Sequence, residues 1–354
     1  MKENEIVNQA IEKLFSKMQS ITIQDLNISE YNKNYLKKYK DNYSFYMSLY
    51  SQLLLKTLGK LTKPISESTF VDYGGGCGML SYLAKELGFK TVVYNDLFET
   101  SVKDVQIISK SLDEAIDYYI CGDVEEFIDE INLLRIKPDL ICSFDVLEHI
   151  YDLDLWIRAI AKIDSEFSLL FMTSANSSNP IINYRLKKLH RKTEFEGFEV
   201  DSWSKENDLN SAFFQERIKI IQSKFPDLKY EDIELLSAKT RGLRKDDIEK
   251  VVYDYIQTGK IYYAIEHPTN TCDPYTGNWA EKIINLKKLK ILIKSINLDV
   301  DISNTFYGYS NNTLLNIPKR ILNYFIKILG TRKLFLSPSY VLEIQKRPSV
   351  NKGN

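Results

Sequence analysis

Cysteine, histidine and glycine are all scarce in this 354-residue chain, at four, three and fourteen residues. The cysteines, Cys77, Cys121, Cys142 and Cys272, include no close Cys-x-x-Cys pair, and three fall in or beside expected buried strands. That fits small buried thiols in a reducing compartment better than a disulfide framework or a zinc site. Long apolar runs are missing too. No stretch approaches the roughly 20 apolar residues of a membrane helix. Met1–Ala10 is polar and lacks the apolar core of a secretory signal. The chain is therefore expected to be cytoplasmic and not transmembrane. Excess charge is likewise absent. A formal net charge of −1 gives no global attraction to nucleic acid or anionic membrane, so a polyanion would need a local patch. The lack of a basic, aromatic-rich groove signature further disfavours a nucleic-acid partner.

What is present is an ordinary globular composition. Hydrophobic residues make up 44% of the chain, enough core for one large domain or two modest ones. The first 62 residues read as helical: Tyr46, Leu49, Leu53, Leu54 and Leu58 recur three and four apart, and Gly59 and Pro64 end the pattern. From Thr69 onward, short apolar runs alternate with helical segments. Strands are expected at 69–73, 91–94, 118–121, 139–144 and 167–173, with helices at 79–87, 100–113, 124–134 and 153–163. Such alternation implies right-handed crossovers and a parallel sheet covered on both faces. After Ser174 it stops for about 100 residues. A helix over 278–296 and strands near 298–303 and 340–345, joined by a helical stretch around 318–329, then resume it.

The strongest chemical signal is the turn after the first strand, Asp72-Tyr73-Gly74-Gly75-Gly76-Cys77-Gly78. Glycines suit a backbone that turns sharply and approaches a ligand with no Cβ in the way. The N–H groups of the helix that follows favour a carboxylate or phosphate. A dinucleotide fingerprint, Gly-x-Gly-x-x-Gly, would need glycine where Met79 stands. The string present is Gly-x-Gly-x-Gly, with an acidic residue two positions before it. Asp96, 18 residues past Gly78 at the end of the second strand, can accept both ribose hydroxyls of an adenosine moiety. Asp123, just past the third strand, can accept from an adenine amine, with Val124 offering its backbone N–H. Either aspartate alone is more often a helix N-cap or a turn residue; their joint placement at the ends of the right strands favours the binding role.

With these pieces, and with Phe144-Asp145-Val146-Leu147-Glu148-His149-Ile150 after the fourth strand, the chain resembles the class I S-adenosylmethionine-dependent methyltransferase superfamily, in its small-molecule branch. The resemblance covers about residues 65–174 and 278–347. It implies an α/β, Rossmann-like fold with a mostly parallel seven-stranded sheet and an antiparallel last strand. It also implies S-adenosyl-L-methionine as cofactor. Asp72, Gly74, Gly75, Gly76 and Gly78 would line its methionine portion, Asp96 the ribose, Leu97 the adenine face and Asp123 with Val124 the adenine edge. Phe144 and Asp145 would sit beside the transferring methyl. The expected organisation is a helical region 1–62, a cofactor-binding core 63–174, a helical insertion 175–277 acting as acceptor-binding cap, the closing part of the core 278–347 and a tail 348–354. The resemblance says nothing specific about the insertion.

Methyl transfer from a sulfonium needs no protein nucleophile. It needs alignment of donor and acceptor, and for a hydroxyl acceptor a base, for which histidine is apt near neutral pH. His149 is the candidate base, with Asp145 beside it in the catalytic set; the alternative is that His149 packs against or caps the next helix. His190 precedes Glu194 by four residues on one helix face, but no third ligand accompanies them, so no metal is expected. His267 opens a long polar loop to Trp279 that could recognise a sugar or simply tie the insertion to the core through Asx and Pro turns. The basic runs Arg185–Lys192 and Ile317–Lys333 could meet phosphate or a membrane surface, though a solvated face and a helix packed on the sheet are the simpler expectations. The expected partner is a polar small-molecule acceptor, such as a sugar or glycan intermediate, free or lipid-linked. The competing functions are a cofactor-binding module without catalysis and an NAD-dependent oxidoreductase, the latter disfavoured by Met79.

Overall fold

In the computed structural model the alternation becomes seven strands and thirteen α-helices among the described residues, which are 2–197, 211–310, 313–330 and 333–347. The tail expected at 348–354 lies outside them. The helices are α1 (Lys2–Ser20), α2 (Glu30–Asp41), α3 (Tyr43–Leu58), α4 (Met79–Glu86), α5 (Glu99–Ser111), α6 (Val124–Leu133), α7 (Leu153–Ile160), α8 (Pro180–Phe195), α9 (Phe213–Lys224), α10 (Tyr230–Lys239), α11 (Lys245–Thr258), α12 (Leu286–Ser295) and α13 (Thr313–Leu329). The strands are β1 (Thr69–Tyr73), β2 (Thr91–Asp96), β3 (Tyr118–Cys121), β4 (Leu140–Phe144), β5 (Phe167–Thr173), β6 (Asp299–Asn304) and β7 (Tyr340–Lys346).

The chain forms two compact units, one of Met1–Leu147, Asp154–Ser174 and Leu286–Asn354, the other of Glu148–Leu153 and Ala175–Asn285. The first holds the whole sheet, in the order β3-β2-β1-β4-β5-β7-β6. β1 to β5 pair in parallel, whereas β7 runs antiparallel to both β5 and β6. This is the expected Rossmann-like sheet, mostly parallel with an antiparallel last strand in the chain. Every residue of β5 is buried, as a central strand covered on both faces must be. The order reverses between β1 and β4, and a doubly wound sheet binds its ligand at the carboxyl ends beside such a switch point. Leu14, Met18, Leu36, Leu53 and Leu54 of the first three helices share one apolar cluster with Phe70, Leu80 and Leu83, so the N-terminal helices are part of this unit's core.

The second unit is built on α8 to α11, with Ile220, Ile221, Leu236, Ile248 and Val252 at its centre. Inside it Arg217 is fully buried: its guanidinium donates to Glu194, and Nε donates to the Ser237 carbonyl at 2.8 Å. The helix expected over 278–296 begins only at Leu286. The backbone before it is used otherwise: Ala280 N donates to Thr271 O at 3.0 Å, Asp273 N to Asn278 O at 2.9 Å and Ile283 N to the Asn270 side chain at 2.9 Å. A short antiparallel pairing centred on Cys272 and Trp279 thus replaces the first two helical turns.

Candidate active site

The ends of four strands of the first unit, β1 to β4, build the site. β1 runs straight into the glycine turn, where Gly75 N donates to Asn95 O of β2 at 2.9 Å and Gly78 N to Gly75 O at 2.8 Å. At Gly75 an added Cβ would fall 2.6 Å from the Tyr94 ring and 2.7 Å from Asp72 Oδ2, so the turn leaves no room for a side chain there. Gly76 differs: its φ is +55°, which L side chains rarely adopt, and the space an added Cβ would occupy is open. The backbone is thus exposed to a ligand on that side. Tyr94 supports it from beneath, donating its hydroxyl to Gly76 O at 2.6 Å.

Asp72 lies under the turn, fully buried, with Oδ2 accepting from Ser81 N at 2.9 Å and Ser81 Oγ at 2.8 Å. It clamps the glycine turn onto the first turn of α4. Burial raises its pKa to about 7, partly offset by the two Ser81 hydrogen bonds and reinforced by the charge of Asp96. Burial likewise pushes the Cys77 thiol up to about 12, which makes it a packing group and not a nucleophile.

The second strand runs two residues further than its apolar pattern suggested, and the extension ends on Asp96. Its carboxylate is oriented by two backbone amides: Gly76 N donates to Oδ2 and Phe98 N to Oδ1, each at 3.0 Å. A carboxylate so oriented at the end of a strand suits a pair of ribose hydroxyls. The next residue, Leu97, is 58% exposed, an apolar face such as a purine ring covers. Asp123 caps α6, with Oδ1 accepting from Glu125 N at 2.8 Å while Glu126 accepts from Asp123 N at 2.9 Å. Val124 is buried behind it. The donor set fits an adenosyl amino acid: exposed turn backbone, an oriented carboxylate and an adjacent apolar surface.

At the end of β4, Phe144 packs against Tyr50 with ring centroids 4.9 Å apart. Asp145 adopts a φ of +54°, a conformation costly for most side chains but tolerated by aspartate. It is held there by donation of its N–H to Met172 O at 2.8 Å and of Ser174 N to its Oδ1 at 2.7 Å. Beside these residues stand tyrosines that motif reasoning missed. Tyr31, Tyr35 and Tyr39 follow one another at helical spacing along α2, and the hydroxyls of Tyr39 and Tyr50 lie 2.9 Å apart. The hydroxyls of Tyr31, Tyr39 and Tyr50 are raised well above the usual phenol range, first by burial. Further contributions come from Asp96 and Cys77 at Tyr31, and from Cys77 and Asp145 at Tyr39 and Tyr50. The signal was available as six tyrosines within residues 31–50, but no motif attaches to it.

His149 belongs to the second unit. Its Nδ1 lies 2.8 Å from Trp279 O. A carbonyl can only accept, so Nδ1 carries the proton and Nε2 presents its lone pair. Glu281 Oε1 is 3.8 Å from Nε2. Glu148, His149 and Glu281 bring their ligand atoms within 4.8 Å of one another. Trp279 is fixed in turn by donating Nε1 to Tyr151 O at 3.0 Å.

The other histidines are committed elsewhere. His190 is buried, with Nε2 2.9 Å from Glu281 O and Nδ1 3.0 Å from Thr269 Oγ1, and burial lowers its pKa. Its helix neighbour Glu194 pairs with Arg217 and accepts from Thr271 Oγ1 at 2.7 Å. Both are parts of the unit's frame. In the loop that His267 opens, Asp273 forms an Asx turn, accepting from Tyr275 N at 2.7 Å and Thr276 N at 3.0 Å.

A family model described as a methyltransferase domain matches residues 42–256. No curated protein matches the sequence. Among solved structures, the plantazolicin methyltransferase BpumL, determined with a triazolic desmethylPZN analog and SAH, is similar over 98% of each chain at 12% identity and a TM-score of 0.40. An S-adenosylmethionine-dependent methyltransferase from Mesorhizobium loti is similar over 83% of this chain and 97% of its own, at 13% identity and a TM-score of 0.37.

Proposed function

The chain belongs to the methyltransferase-domain family, and from that premise we propose that it transfers a methyl group from S-adenosyl-L-methionine to a hydroxyl of a polar small molecule, of the class of sugars and glycan intermediates. When bound, the cofactor supplies a methyl activated on a positive sulfonium. The chain's own residues bind and align. The backbone of the glycine turn Gly74–Gly78, open at Gly76, holds the amino-acid end. Asp96 accepts the ribose hydroxyls, Leu97 covers the purine, and Asp123 with Val124 borders its edge. Phe144 and the constrained Asp145 flank the reacting centre. Alignment of this kind can supply several kcal/mol of the barrier.

The observation that carries the acceptor half is the state of His149. With Nδ1 donating to a carbonyl, Nε2 is the basic nitrogen, and Glu281 stands 3.8 Å from it. His149 Nε2 therefore takes the acceptor's hydroxyl proton, and Glu281 stabilises the charge that forms. Residues 175–277, as an acceptor-binding cap, choose the acceptor.

The test is a panel of free and lipid-linked sugars assayed for methyl transfer, with His149→Ala in parallel. Turnover should fall by roughly 10²–10⁴-fold, the span typical for loss of a general base, while S-adenosylhomocysteine affinity holds. Wild-type turnover in His149→Ala would make the histidine structural. Transfer to no hydroxyl on the panel would reject the proposed acceptor class.

A further inference from the structure

Helix α13 is amphipathic in the wrong sense for a helix packed in water. The side it turns to the protein is largely polar. Asn316 Nδ2 donates to Ser310 O at 2.7 Å, Lys319 Nζ to Gly308 O at 2.8 Å and Asn323 Nδ2 to Tyr307 O at 3.0 Å. Only Ile326 of this stripe is a buried hydrophobe. The opposite side carries Leu314, Ile317, Ile321, Tyr324, Phe325 and Ile328, all exposed, with Leu314 at 74% and Tyr324 at 63%. Large apolar side chains scattered singly on a surface need no explanation, but a continuous helical stripe of them marks an interaction face. The simpler expectation for this segment, apolar packing on the sheet, is not what the stripe does.

Charge identifies the occupant. From Ile302 to Leu342 the sequence contains five basic residues, Lys319, Arg320, Lys327, Arg332 and Lys333, and no acidic one. In a chain whose net charge is −1, this is a concentrated local patch. Arg320, Lys327 and Lys333 are exposed. An apolar stripe flanked by cations and free of anions is the composition of a helix that lies in the plane of a membrane interface, its apolar side among the acyl chains and its cations at anionic headgroups. No helix among the described residues is long and apolar enough to cross a membrane, so the contact is with one surface only.

We propose that α13 seats the protein on an anionic lipid bilayer surface. This does not depend on the identity of the methyl acceptor. The full chain, incubated with vesicles of phosphatidylcholine containing phosphatidylglycerol, should co-sediment with them. Binding should drop sharply on phosphatidylcholine alone and at high salt. Ile321→Glu with Phe325→Glu should abolish co-sedimentation. Arg320→Glu with Lys327→Glu should weaken it by at least about tenfold, from the loss of two interfacial cations. Both variants alter exposed positions, so their circular dichroism and S-adenosylhomocysteine affinity should match wild type. Wild-type protein that stays in solution with anionic vesicles would overturn the proposal. So would a wild-type dimer, measured by light scattering, that Ile321→Glu with Phe325→Glu dissolves in the absence of any vesicle binding.

Discussion

Replacing Asp72 with asparagine should stabilise the cofactor-free protein, and the gain should grow with pH. Asp72 is fully buried, and its pKa is raised to about 7 from an ordinary carboxylate value of 3.8. Below 3.8 both folded and unfolded chains hold the proton, and the aspartic acid costs nothing extra. Between 3.8 and about 7 the unfolded chain releases the proton and the folded chain does not, so stability falls as pH rises. Above about 7 both are ionised and the loss is complete. Each pH unit within that window is worth about 1.4 kcal/mol, so from pH 5 to pH 8 wild type should lose roughly 3 kcal/mol relative to Asp72→Asn. Asparagine keeps an oxygen for Ser81 N and Ser81 Oγ and carries no charge to desolvate. For a chain of this length the difference corresponds to roughly 4 °C in thermal midpoint. Differential scanning calorimetry of both proteins without cofactor, at pH 5, 6, 7 and 8, reads it directly. A constant gap across that range, or a variant less stable than wild type at pH 8, would refute the reasoning.

Two further outcomes follow from other parts of the molecule. Asp96→Ala removes the acceptor assigned to two ribose hydroxyls and should weaken S-adenosylhomocysteine binding by roughly a hundredfold, measured by calorimetric titration; unchanged affinity would remove Asp96 from the ribose site. Arg217→Met removes one of the two guanidinium groups beside buried Glu194, the other being that of Arg241 at 3.7 Å, and should destabilise the second unit by about 3 kcal/mol, the low end for a broken buried pair. Limited proteolysis within residues 211–258 should report it while cofactor affinity holds, and resistance equal to wild type would show that Glu194 finds its compensation elsewhere.

The cofactor half was largely legible without coordinates because its constraints are local. A tight turn between a strand and a helix demands glycine, as the positive φ of Gly76 and the crowded Gly75 illustrate. An aspartate at a strand's carboxyl end is announced by the apolar run before it. Asp72 was legible in place but not in detail. That its Oδ2 is spent on Ser81 depends on a helix dipping back under the turn. The composition of 278–285 allows a helix. The segment is extended because residues 270–273 supply hydrogen-bond partners that a local pattern cannot reveal.

Sequence alone therefore determined the order of strands and helices, the Gly-x-Gly-x-Gly turn and the class of ligand it suits, since short-range sterics and periodicity decide these. Tertiary structure alone decided which nitrogen of His149 is basic, because a carbonyl 130 residues away accepts the hydrogen bond from the Nδ1 proton. It also brought the α2 tyrosines beside the site and turned the apolar side of α13 outward. A sequence shows that a helix has two faces, but which one meets the protein depends on the hydrogen-bond partners that Ser310, Gly308 and Tyr307 offer across space.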